Sequence, residues 1–150
     1  MYGLKGEVPE EEYILELGKA HIVQEGTDVT IVSFGKIIKE AYKAAEELAK
    51  ENISVEIIDL RTVRPMDHAA IITSVKKTNR LVVLEEDWPF ASVSSEITYR
   101  IQEEAFDYLD APIKRITTAD TPAPYSPVLF EKWIPNYKNV IDAVKEVMYL

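Results

Sequence analysis

Apolar positions along the chain change period several times, and each change predicts an element. Ala20 to Gln24 and Val29 to Ser33 are β-rich runs around Glu25-Gly26-Thr27-Asp28, which reads as a hairpin turn. Ile37, Ile38, Ala41, Tyr42, Ala45, Leu48 and Ala49 then recur at helical spacing, leaving Lys39, Glu40, Lys43, Glu46 and Glu47 outward. Val55 to Leu60 predicts a buried strand and Leu81 to Leu84 a second, with a helix from about Asp67 between them. Val93, Ile97 and Ile101 mark a third helix, Ile113 to Thr118 another strand, and Tyr137 to Met148 a final amphipathic helix. The stretch from Asp120 to Pro127 reads as a proline-rich loop.

Strand–helix alternation of this kind predicts an α/β/α sandwich: a mostly parallel sheet of about five strands, with helices on both faces. The opening hairpin would add one antiparallel edge strand. Residues 1–16 hold Glu7, Glu10, Glu11, Glu12 and Glu16 with weak patterning and read as a linker, so the domain spans 17–150.

Composition narrows the function. A length of 150 residues with 47% hydrophobic and 29% charged residues suits one globular domain. No apolar run is long enough for a membrane span. The start, Met1 to Glu7, lacks a basic segment followed by an apolar one, so no signal peptide is visible. The absence of cysteine rules out disulfides and thiolate metal sites. A net charge of −9 repels phosphate backbones and anionic lipid, which argues against nucleic acid and membrane partners. It fits either a basic protein partner or simple solubility.

In an open α/β sheet, ligands bind beyond the carboxyl ends of the strands. Gly35-Lys36 there could cradle an anion or simply make a tight turn. Asp59, Glu85, Glu86 and Asp87 could hold Mg²⁺ as in a phosphoacceptor domain, but three of them are consecutive and read better as capping and solvated charge. Arg61 and Arg64 flank a turn and suit a carboxylate on Asp59, Asp67 or another subunit. Asp67 caps the following helix, and Pro65 marks where the turn ends. His21 and His68 have no nucleophile or metal partner at a telling spacing, and GxSxG and HExxH motifs are absent. Trp88-Pro89-Phe90 and Trp133-Ile134-Pro135 place aromatics outside helices, as core lids or as a subunit contact.

The wording of several segments resembles a known family. Gly18-Lys19-Ala20, Gly26 to Ser33, Asp59-Leu-Arg-Thr-Val-Arg-Pro-Met-Asp67, Lys77 to Val83, Glu85 with Trp88-Pro89, Leu109-Asp110-Ala111-Pro112, Asp120 to Tyr125 and Ile134-Pro135 occur in the order found in the C-terminal domain of E1 beta subunits of 2-oxo acid dehydrogenase complexes, a domain of the transketolase C-terminal class. Phe90 to Ser94 departs from the pattern, which has a glycine-rich turn there. Tyr2-Gly3 resembles the end of the family's pyrimidine-binding domain, which this chain lacks.

The resemblance implies an assembly role in an oxidoreductase, most simply pyruvate dehydrogenase. The implied partners are the E1 alpha subunit, a second beta subunit and the peripheral subunit-binding domain of E2. Thiamine diphosphate and Mg²⁺ would serve the holoenzyme without binding this fragment, and no catalytic residue carries over. E2 docking falls on Asp110 and the terminal carboxylate of Leu150, while Arg61, Arg64, Asp67 and Trp88 mark turns or interfaces. The implied location is the bacterial cytoplasm or the mitochondrial matrix. A branched-chain or acetoin dehydrogenase is the near alternative, and a receiver-like or nucleotide-binding module the distant one. Transketolase itself and deoxyxylulose phosphate synthase fit Trp88-Pro89 less well.

Overall fold

The computed structural model describes residue 7 and residues 9–150; Tyr2-Gly3 and most of Met1 to Glu7 lie outside them. Among the described residues, five strands form one sheet: β1 (His21–Gln24), β2 (Val29–Ser33), β3 (Val55–Asp59), β4 (Leu81–Leu84) and β5 (Lys114–Ile116), in the order β1-β3-β2-β4-β5. Five helices accompany them: α1 (Ile38–Ala49), α2 (His68–Thr78), α3 (Val93–Glu104), α4 (Pro127–Trp133) and α5 (Tyr137–Met148). The sheet is parallel except for β1, which runs antiparallel to β3. The three-layer architecture and the single antiparallel edge strand are as predicted.

The hairpin is not. β1 and β2 are separated by β3, so the 25–28 connection crosses the end of that strand instead of closing a two-strand ladder. Burial explains the choice. The first four residues of β3 are buried, whereas β1 is exposed or half-buried along its length. A β1–β2 hairpin would leave β3 at the edge with its apolar residues in water. Gly26 makes the crossing possible: a Cβ there would overlap the backbone of Val55 and Glu56.

Period-2 alternation divides the core. Val29, Ile31, Val55, Ile57, Val82 and Leu84 pack under α1 and α5. Val32, Ile58, Leu81 and Val83 meet α2 and α3. Thr30 and Glu56, register partners on neighbouring strands, are buried toward α2, where only polar partners make burial tolerable. Thr30 bonds Ser74 at 2.6 Å and Thr78 at 2.7 Å. Glu56 accepts from Ser74, Lys77 and the Gly26 amide.

Two connections are more ordered than the sequence predicts. The proline-rich loop ends in α4, with Pro127 in the first turn, where its missing N–H costs nothing. Trp133 is therefore helical rather than in a loop. A single 3₁₀ turn, Phe106–Tyr108, precedes Leu109-Asp110. Among the described residues, no helix is long and apolar enough to cross a membrane.

Candidate functional site

Asp110 sits where three elements end. Asn79 closes α2 in the left-handed conformation and accepts the Asp110 amide at 2.9 Å through its carbonyl. Its side-chain amide donates to the Tyr108 carbonyl at 2.7 Å, fixing the 3₁₀ turn ahead of Asp110. Tyr149 closes α5, also left-handed, and its hydroxyl donates to the Asp110 carbonyl at 3.2 Å. Leu150 follows, its amide donating to Lys145. The two residues that the resemblance assigns to docking, Asp110 and Leu150, thus end up on one face. The Asp110 side chain is 56% exposed and Leu150 is 75% exposed.

The charge on this face is mixed. Arg80 lies 3.4 Å from the Asp110 carboxylate while its Nε donates to the Val147 carbonyl at the end of α5. Lys114 pairs with Glu146, and Lys145 with Glu51. Asp110 therefore keeps acceptor capacity for an outside cation while one side is steadied by Arg80. Sequence reasoning gave Arg80 and Tyr149 no role. The first lay unused inside the Lys77–Val83 likeness, and the second meets Asp110 only because α5 folds back.

The other expected residues scatter. Asp67 caps α2, its Oδ1 accepting from Ala70 at 3.1 Å, and Oδ2 also accepts from the Ala20 amide at 3.1 Å. Arg61 is left-handed at φ 56°, with its amide on Asp59. Neither Arg61 nor Arg64 forms an ion pair among the described residues, so the expected bridge to Asp59 or Asp67 is not made. Trp88 and Trp133 both donate their indole N–H to the Thr121 carbonyl, at 3.0 and 2.9 Å. Phe90, Tyr125, Val128 and Leu129, in the same two loops and α4, are exposed.

The acidic strand ends do not converge. Glu85 is fully buried, accepting from the Ser94 amide at 3.2 Å and from its hydroxyl, rather than being solvated as predicted. Asp87 accepts the Trp88 amide, and no group of acidic or histidine residues is placed to hold a metal ion among the described residues. These carboxylates do not fit a Mg²⁺–diphosphate group. Gly35, at φ 69° with open space around it, serves the turn before α1.

A sequence profile of the transketolase C-terminal domain matches residues 18–140. The chain belongs to that family. This transketolase C-terminal domain is 51% identical over 150 residues to the pyruvate dehydrogenase E1 component subunit beta of Rhizobium meliloti, covering 99% of this chain and 33% of that protein. It is 43% identical over 147 residues to the acetoin:2,6-dichlorophenolindophenol oxidoreductase subunit beta of Bacillus subtilis, covering 98% of this chain and 43% of that one. A solved structure described as a split-gene transketolase, an inactive beta4 tetramer, superposes with a TM-score of 0.81 at 26% identity, over 97% of this chain and 46% of that one. The domain thus spans between a third and just under half the length of each of these relatives.

Proposed function

We propose that this domain is the assembly domain of a pyruvate dehydrogenase E1 beta subunit. Residues 1–16 link it to a pyrimidine-binding domain. It packs against the E1 alpha subunit and a second beta subunit, and docks the peripheral subunit-binding domain of E2. In that holoenzyme, thiamine diphosphate with Mg²⁺ would supply the electron sink for decarboxylating the 2-oxo acid, and the remaining acyl group would pass to the lipoyl group of E2. This chain's residues position subunits and bind neither group alone. The cellular setting is the cytoplasm of a bacterium or the matrix of a mitochondrion.

The observation that carries docking is the shared face of Asp110 and Leu150, joined through Tyr149. The exposed Asp110 carboxylate, with the exposed Leu150 beside it, suits a basic partner surface. The exposed aromatics around Trp88 and α4 support subunit packing, since such residues are enriched in interfaces. Likeness to the acetoin enzyme favours one second reading, an acetoin dehydrogenase beta subunit with the same assembly role.

Calorimetric titration with the E2 peripheral subunit-binding domain tests docking. Asp110→Ala weakens binding about tenfold. Undiminished affinity would refute the assignment. Turnover of pyruvate against acetoin by the assembled complex separates the two substrate readings.

A further inference from the structure

The turn that holds Arg64 forms one wall of a cleft that docking does not use. It has a volume of about 660 Å³, and the start of α3 forms the other wall. Arg64 and His68 line it from one side, and Arg100, two turns into α3, from the other. Val63, Met66 and Val93 give it apolar patches. Charged and apolar side chains share its lining in comparable measure, and its volume falls in the range of small-molecule sites.

Its charge runs against that of the protein. The chain carries −9, yet the cleft holds two guanidinium groups against one carboxylate, Glu96. Glu96 pairs with Arg100 at 2.9 Å, whereas Arg64 has no ion partner among the described residues. Nearby acids point elsewhere: Asp67 is spent on Ala70 and Ala20, and Glu85 is buried against Ser94. The guanidinium fork pairs bidentately with tetrahedral oxyanions, and a ring N–H from His68 would add a donor. We infer that this cleft binds a small phosphomonoester, with Arg64 and Arg100 holding the phosphate and the Val63–Met66 side taking the organic part.

The test is a ¹H–¹⁵N NMR titration of the 150-residue chain with inorganic phosphate and with phenyl phosphate. Saturable shifts should localise to the amides of Arg64, Met66 to His68 and Ala91 to Val93, with phenyl phosphate binding more tightly than phosphate. Arg64→Ala and Arg100→Gln should each weaken binding about tenfold, while Lys132→Ala, on α4 away from the cleft, leaves it unchanged. All three side chains reach solvent, so the spectrum of each variant also reports that it folds. Shifts that fail to saturate, shifts spread over the surface lysines, or equal affinity in the Arg64 and Arg100 variants would each overturn the inference.

Discussion

The phenolic hydroxyl of Tyr149 donates to the backbone carbonyl of Asp110 at 3.2 Å, joining the end of α5 to the turn that carries the Asp110 carboxylate. Tyr149 reaches it from a left-handed backbone at φ 60°, and Leu150 follows directly. The bond therefore ties the Asp110 turn to the segment that carries Leu150. Tyr149→Phe removes it and keeps the ring. A typical intramolecular hydrogen bond contributes about 0.5–1.5 kcal/mol, and because this one is exposed stability should fall by less than about 1 kcal/mol. Under the proposed docking role, affinity for the E2 domain should drop severalfold, because the partner must then order the Tyr149–Leu150 segment. Thermal melts with calorimetry check both halves of this expectation.

Gly26→Ala should damage the fold itself. The added methyl meets the backbone of Val55 and Glu56, which cannot rotate away as a side chain would. The 25–28 crossing must lift, and with it the Gly26 amide that donates to Glu56 at 3.3 Å. Overpacking typically costs about 1–3 kcal/mol, and a backbone obstacle belongs at the upper end. Urea unfolding should show the loss, and hydrogen exchange should place it first in β1, the strand the crossing anchors.

Local rules were readable and pairing rules were not. Asp67 was identifiable as a cap because its partner, Ala70, lies three residues on. The Ala20 amide on the same carboxylate, 47 residues away, leaves no local trace. The runs of β1 and β2 were visible, but their partner choice depended on β3 needing a neighbour on each side, a property of the finished sheet. Glu56 stands out as a charge inside the apolar run Val55–Ile58, a signal passed over. Its meaning comes only from Ser74 and Lys77 on the facing helix. Asp110 itself came from family likeness alone, and the geometry that joins it to Tyr149 arises when α5 closes against the sheet.

Ala91→Gly should stabilise the protein. Ala91 has φ 53°, where an L side chain crowds the backbone. It stands in the segment where the family pattern places a glycine-rich turn, so the fold keeps the glycine conformation without the glycine. Left-handed backbone costs a non-glycine residue about 1–2 kcal/mol, and glycine returns part of that through its more flexible unfolded state. The expected net gain is about 0.5–1 kcal/mol, read as a higher urea midpoint at unchanged m-value.

Acid should unfold the domain partly through Glu56. Burial pushes its carboxyl up, but hydrogen bonds from Lys77, Ser74 and the Gly26 amide outweigh burial and hold it below the usual range. Lys77 moves the other way, raised above its ordinary value chiefly by Glu56 and then Glu25. The folded state therefore binds fewer protons at Glu56 than the unfolded chain does. That contribution is complete above the unfolded pKa of about 4.3 and is lost as pH falls through the lower folded value. The Lys77 contribution is complete below about pH 10.4 and fades only as pH rises through its raised value. At neutral pH both are intact. Lys77→Met then strands a buried carboxylate. Removing one partner of a fully buried pair costs about 3–5 kcal/mol, and because Lys77 is 40% exposed the expected loss is about 1–3 kcal/mol. Glu56→Gln also lowers stability at pH 7, but it removes the titrating group, so the gap to the unmutated chain should narrow as pH falls below about 4. Urea melts of both variants between pH 3 and pH 7 decide the matter: a gap that stays constant across that range would rule Glu56 out as an acid-sensitive element.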